Sequence, residues 1–124
     1  MWSDKYIYYN IQNDLDFSQK VEVEKVVQLL LDTNCLVQEH HQSFENSDNF
    51  LWLDITIAMT ENGNFKVDNK PLSHVNLISI VCSKGDNIDQ SVYTNVFLNI
   101  AEKLNWKLFL EEDDFGNENI EIKR

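Results

Sequence analysis

Leu51-Trp52-Leu53-Asp54-Ile55-Thr56-Ile57-Ala58-Met59-Thr60 carries large apolar residues at its odd positions and Trp, Asp, Thr, Ala and Thr at its even ones. A period of two belongs to a strand with one pleated face on a core and the other toward solvent or a partner. Leu51, Leu53, Ile55, Ile57 and Met59 are therefore expected on the core. Trp52, with Asp54, Thr56 and Thr60, is expected on the opposite face.

Working outward, the polar turn Glu45-Asn46-Ser47-Asp48-Asn49 joins this strand to a strand candidate running from Cys35 to Phe44. On the other side, Glu61-Asn62-Gly63 predicts a hairpin. A two-residue Asn-Gly turn would mix core and surface residues, whereas a three-residue loop with Gly63 in a left-handed bulge sets Phe65 opposite Met59 and Val67 opposite Ile57. Residues 68–74, with the only proline at Pro71, read as a loop. Val75 to Cys82 is apolar on both faces, as an interior strand is.

The two ends each read as strand, helix, Asn, strand. Tyr6 to Ile11 is rich in aromatic and β-branched residues and forms the first strand, broken by Asn13-Asp14. Asp16 and Gln19 have capping-box spacing, so a helix is expected to start there, with Val23, Val26, Val27, Leu30 and Leu31 inward and Asn34 as a left-handed stop. Asp89 is the expected N-cap of a second helix, with Ile88 and Tyr93 as a staple and Val92, Val96, Phe97, Ile100, Ala101 and Leu104 buried. Asn105 ends it, and Trp106, Leu108 and Leu110 alternate as a further strand. Glu111 to Ile122 then reads as a hairpin with a Phe115-Gly116 turn and an acidic tip. The order β-α-β-β-β-α-β-β describes one domain, 1–124, of the α+β class. Its expected form is a two-layer sandwich, a mainly antiparallel sheet with two helices on one face, for which a ferredoxin-like arrangement is one solution.

A chain of 124 residues with 43% hydrophobic content can bury one core without disulfides or metal. With 21 acidic and 10 basic residues its formal net charge is -11. That sign disfavours nucleic acid and anionic membrane and attracts basic proteins, although solubility alone would also account for it. Cys35 and Cys82 form no C-x-x-C pair, and Met1 to Lys5 lacks the signal-peptide pattern. No apolar run reaches the roughly 18 to 20 residues that span a bilayer. Reduced thiols and a cytoplasmic location are the expectation.

The chemistry-bearing residues carry little. His40 and His41, if on a strand, point to opposite faces and do not easily share an ion. Neither cysteine has the local signature of a nucleophile, and a solvated acid run supplies no pair of carboxyls in unlike environments. There is no G-x-G-x-x-G, phosphate loop, H-E-x-x-H or calcium-loop spacing. Neither a cofactor nor a metal is expected, and the chain is read as a binding protein rather than an enzyme.

A tryptophan among small polar residues is a candidate anchor, since indole buries much area and keeps an N–H to donate. Carboxylates at Asp54 and from Glu111 through Glu112, Asp113 and Asp114 would meet Lys and Arg of a partner. Leu104-Asn105-Trp106-Lys107-Leu108 passing into Glu111-Glu112-Asp113-Asp114, in a small acidic α/β chain, resembles the immunity proteins of bacterial polymorphic-toxin and contact-dependent inhibition systems. The resemblance lies in size, charge and architecture. It implies a non-catalytic inhibitor that binds a cognate toxin, often a basic nuclease domain, with Trp52, Asp54 and Glu111 to Asp114 as the contacts. The alternatives are a small enzyme with a pocket around His40, His41 or His74, and a module that self-associates through a strand edge.

Overall fold

The computed structural model of the chain describes residues 5–65, 67, 70–85 and 87–124. In chain order the elements are β1 (Tyr6–Gln12), β2 (Val21–Glu22), α1 (Val23–Asp32), β3 (Leu36–Gln38), β4 (Ser43–Asn46), β5 (Leu53–Ala58), β6 (His74–Val75), β7 (Leu77–Ser83), α2 (Gln90–Leu104), β8 (Lys107–Glu112) and β9 (Glu118–Ile122). Seven strands make one antiparallel sheet in the order β3-β4-β5-β7-β1-β8-β9, and β2 pairs with β6 separately. Its centre, β5-β7-β1-β8, together with α1 and α2, is the ferredoxin-like split βαβ arrangement. The β3-β4 hairpin, inserted between α1 and β5, widens one edge, and β9 widens the other.

The pleat sorts the residues. Three rows cross β1, β7 and β5 on the helix-covered face: Ile7-Cys82-Leu53, Tyr9-Ile80-Ile55 and Ile11-Ile78-Ile57. They pack with Val26 and Leu30 of α1 and with Tyr93, Phe97, Ile100, Ala101 and Leu104 of α2. Each fully buried aliphatic side chain there contributes about 1.5–3 kcal/mol relative to exposure. The helix ends have local causes. The Asp89 side chain accepts from the Ser91 N–H, and Asn105 (φ 57°) turns left-handed while the Trp106 N–H reaches back to the Ala101 carbonyl. Asn34 (φ 61°) is likewise left-handed just past α1, where its own N–H donates to the Leu31 carbonyl.

Several expectations are corrected. α1 begins at Val23 instead of near Asp16, because Val21 and Glu22 are held extended against Val75 and His74 and the Val23 N–H bonds to the Ser73 carbonyl. Leu31 and Val92 lie on exposed sides of their helices. The 35–44 strand is two strands around a turn at His40-His41. The hairpin expected at Gly63 is not seen at Phe65 or Val67, neither of which is in a strand: β4 and β7 already occupy the two edges of β5. Gly63 is nevertheless left-handed (φ 93°), while Lys66, Asp68 and Asn69 lie outside the described residues. Leu51 and Met59 fall beyond the ends of β5 and are exposed, and Thr60 turns inward to 7% exposure.

Candidate functional site

Among the described residues, only one face of the sheet carries helices. The other presents Asp54, Val81 and Tyr8 in one row and Thr56, Ser79, Asn10 and Phe109 in the next. Trp52 stands at one end of this open face and is 45% exposed. Its backbone is fixed from the helix layer, for the buried Tyr93 hydroxyl donates to the Trp52 carbonyl at 2.6 Å. Its indole leans on Tyr6, with ring centroids 5.3 Å apart, and makes no side-chain hydrogen bond among the described residues. A half-exposed indole on a braced backbone has little conformational freedom left to lose on contact.

Beside it lies a set of carboxylates. Glu45 pairs directly across the ladder with Asp54, an arrangement of like charges that destabilises by roughly 0.2–1 kcal/mol. Burial first, and the Glu45 charge second, raise the Asp54 carboxyl above its ordinary value. Glu39, at the end of β3, is raised chiefly by a side-chain hydrogen bond with Glu45, then by partial desolvation and by the charges of Glu45 and Asp54. The native fold thus holds negative charge where a cation would relieve it. Glu39 and Glu45 were missed in the sequence because their proximity to Asp54 depends on the register of two hairpin strands.

The acidic residues of the last hairpin separate in role. Extending the Tyr9-Leu110 register by one residue sets Glu111 level with Tyr8, on the open face, about 14 Å across three strand spacings from Asp54. Glu112 pairs with Glu118 and points the other way. Asp113 builds its own turn: its carboxylate accepts from the Phe115 N–H, the Asn117 N–H and the Asn117 amide, and these bonds hold it below the ordinary carboxylate range. Asp114 pairs with Lys84 at 2.6 Å. Of the six residues expected to make contacts, Trp52, Asp54 and Glu111 share a face, while Asp113 and Asp114 serve the hairpin tip.

At the opposite end of the open face, two loops arch over the sheet and leave a cavity of about 380 Å3. Asn10, Gln12 and Ser79 lie beneath, Glu111 and Asn119 at the side, and Phe17 and residues 62–65 form the rim. Asn76, 2% exposed, ties the rims together. Its amide donates to the Phe17 carbonyl at 3.3 Å and the Thr60 carbonyl at 2.7 Å, and its oxygen accepts the Thr60 N–H at 2.9 Å. The Thr60 hydroxyl in turn receives the Gly63 N–H at 2.9 Å and donates to the Asn64 carbonyl at 2.7 Å. Asp14 organises the first loop by accepting from the Asp16 and Ser18 N–H groups. A lone Asn inside the apolar run from Val75 to Cys82 was the available signal for this pocket.

The remaining candidates lie apart from both sites. His40 and His41 sit in the β3-β4 turn with ring centroids 5.0 Å apart, so the turn brings together rings that a continuous strand would have separated. Among the described residues no group of three His, Cys, Asp or Glu side chains is placed to hold a metal. Burial pushes the Cys82 thiol up to about 12 and raises Cys35 also, leaving both as weak nucleophiles near neutral pH. No helix among the described residues is long and apolar enough to cross a membrane. Comparison with protein-family models, with curated proteins and with solved structures gives no match.

Proposed function

We propose that this chain is a non-catalytic binding protein whose open sheet face captures a basic protein, and that its specific form is an immunity protein neutralising a toxin domain. The observation that carries the reading is the juxtaposition of a braced, half-exposed Trp52 with the strained carboxylates Glu39, Glu45 and Asp54. Fields of this sign accelerate encounter with a cationic surface, and an aromatic anchor slows dissociation. Lys or Arg of the partner would relieve the Glu45-Asp54 repulsion, so this charge set favours association beyond simple attraction. Seven strands about 4.8 Å apart and averaging roughly five residues give a face of about 29 Å by 18 Å, somewhat smaller than one side of a standard interface.

The test is capture from source cells with the full chain as bait, at low and high salt, followed by binding kinetics with the purified partner. A stoichiometric basic partner whose own activity disappears in the complex is the expected result. Trp52→Ala should then weaken binding by roughly 30-fold, mainly through faster dissociation. Glu45→Lys with Asp54→Lys should slow association and flatten its salt dependence. An acidic partner, or a basic one whose affinity ignores all three positions, would sink the proposal.

A further inference from the structure

The two edges of the seven-stranded sheet are finished differently. β9 forms one of them. Asn119 (φ 51°) interrupts it with a left-handed residue, and Glu118 and Glu121 are followed by Lys123 and Arg124, whose guanidinium is tied to Glu102 and Asn99 of α2. A kinked edge of mixed charge resists the addition of another strand.

β3, at the other edge, has neither device. Its ladder with β4 extends past both ends of Leu36–Gln38, where the Ser47 N–H donates to the Cys35 carbonyl and the Glu39 N–H to the Ser43 carbonyl. Cys35, Val37 and Glu39 therefore turn their backbone groups toward β4, and Leu36 and Gln38, between them, turn theirs outward. Among the described residues nothing bonds to those outward groups. The backbone is regular from Cys35 to Glu39, with no positive φ. Two N–H donors and two carbonyl acceptors in strand register are what a further strand pairs with.

The side chains around this edge select that strand. Val37 is exposed on the open face, in the row continued by Glu45 and Asp54, and Glu39 follows two residues along on the same face. Glu39 and Glu45 share a side-chain hydrogen bond. No ion pair reaches Glu39, Glu45 or Asp54 among the described residues. The sequence has no Lys or Arg between Lys25 and Lys66, while Asp32, Glu39, Glu45, Asp48, Asp54 and Glu61 all fall in that stretch. A second copy of the chain would bring the same acid-only stretch, and a formal net charge of -11, against its own. A strand with Lys or Arg opposite Glu39 and an apolar residue opposite Val37 complements both positions.

We infer that β3 pairs with an extended strand of the basic partner, which joins the sheet in its antiparallel sense through the backbone of Leu36 and Gln38 and carries Lys or Arg opposite Glu39 and an apolar residue opposite Val37. The inference rests on the partner reading above and names the form in which the partner's charge reaches the open face.

The experiment titrates the full chain with the peptide acetyl-Thr-Lys-Thr-Val-Thr-Lys-Thr-amide and follows backbone amide shifts and amide exchange. One control peptide has glutamate in place of both lysines. A second is N-methylated at its third and fifth residues, which keeps the charge and removes the donors that would face Leu36 and Gln38. The lysine peptide should give saturable shifts centred on Leu36 and Gln38, slow the exchange of those two amides, and bind at least roughly tenfold more tightly than either control, the scale of one hydrogen bond. Glu39→Lys should turn the preference toward the glutamate peptide and leave the effect of N-methylation unchanged. Equal binding of the N-methylated peptide, shifts confined to other strands, or no binding at all would overturn the inference. If a captured basic partner depends on Trp52 yet leaves exchange at Leu36 and Gln38 unchanged, the strand addition alone falls. If the lysine peptide pairs with β3 and no basic partner is captured, the partner reading falls and the strand-binding edge stands.

Discussion

The two faces of the central sheet are built from alternate residues of the same strands, yet they answer to opposite rules. On the helix-covered face Leu53, Ile55 and Ile57 are fully buried and meet Cys82, Ile80 and Ile78 across β7. On the open face their neighbours Asp54 and Thr56 remain accessible, Asp54 faces another carboxylate, and a tryptophan is left half in water. The covered face is arranged for stability. The open face retains like charges side by side at a cost to stability, a pattern expected where a surface serves a partner.

The largest test of that difference compares adjacent residues on β5. Ile55→Ala removes a fully buried side chain at the middle of the core and should cost about 2–5 kcal/mol in urea unfolding. Thr56→Ala, one residue along and on the other face, should stay within roughly 0.5 kcal/mol. Similar losses from both would mean that the open face is as tightly packed as the core.

A smaller effect divides the open face itself. Asn76→Ala leaves the Thr60 N–H, the Thr60 carbonyl and the Phe17 carbonyl without their side-chain partner, an expected loss of about 1–3 kcal/mol. The more diagnostic readout is local: amide exchange should accelerate in residues 14–18 and 60–65 while β5 and β7 keep their protection. Uniform acceleration would mean that Asn76 supports the whole fold and that the pocket rims have no independent anchor.

These two faces were unequally legible in the sequence. The covered face follows from local periodicity, and the caps at Asp89 and Asn105 from residues two to four positions from the groups they serve. Trp52 and Asp54 were placed by the same alternation. The pocket was hidden because Asn76 joins chain segments 59 and 16 residues away, a distance no local pattern encodes. The false hairpin at Gly63 has a related cause. Its face-matching was internally consistent, but strand pairing is decided by competition for edges, and β4 and β7 filled both edges of β5. Likewise the capping-box spacing at Asp16 was overruled by the two-residue ladder at Val21-Glu22.

The smallest predicted effect has the opposite sign from the first two. Removing the Asp54 charge by Asp54→Asn should stabilise the protein at neutral pH by roughly 0.2–1 kcal/mol, because Glu45 no longer faces a like charge across the ladder. The pH dependence gives a separate check. Burial and Glu45 raise the folded-state value of Asp54, so between the unfolded carboxylate value of about 3.9 and the raised folded value the native state binds the additional proton. The Asp54 contribution to stability must then fall as pH rises through that window, and Asp54→Asn should remove this part of the slope. Asp113 behaves oppositely, since its hydrogen-bonded carboxylate is held below the ordinary range, and its contribution is lost as pH falls through that lower value. Urea midpoints measured from pH 3 to 7 for Asp54→Asn and Asp113→Asn should therefore diverge, the first gaining most on the neutral side and the second losing most there. If both substitutions simply lower stability at every pH, Asp54 is a structural carboxylate like Asp113, and the charge tension assigned to the open face is absent.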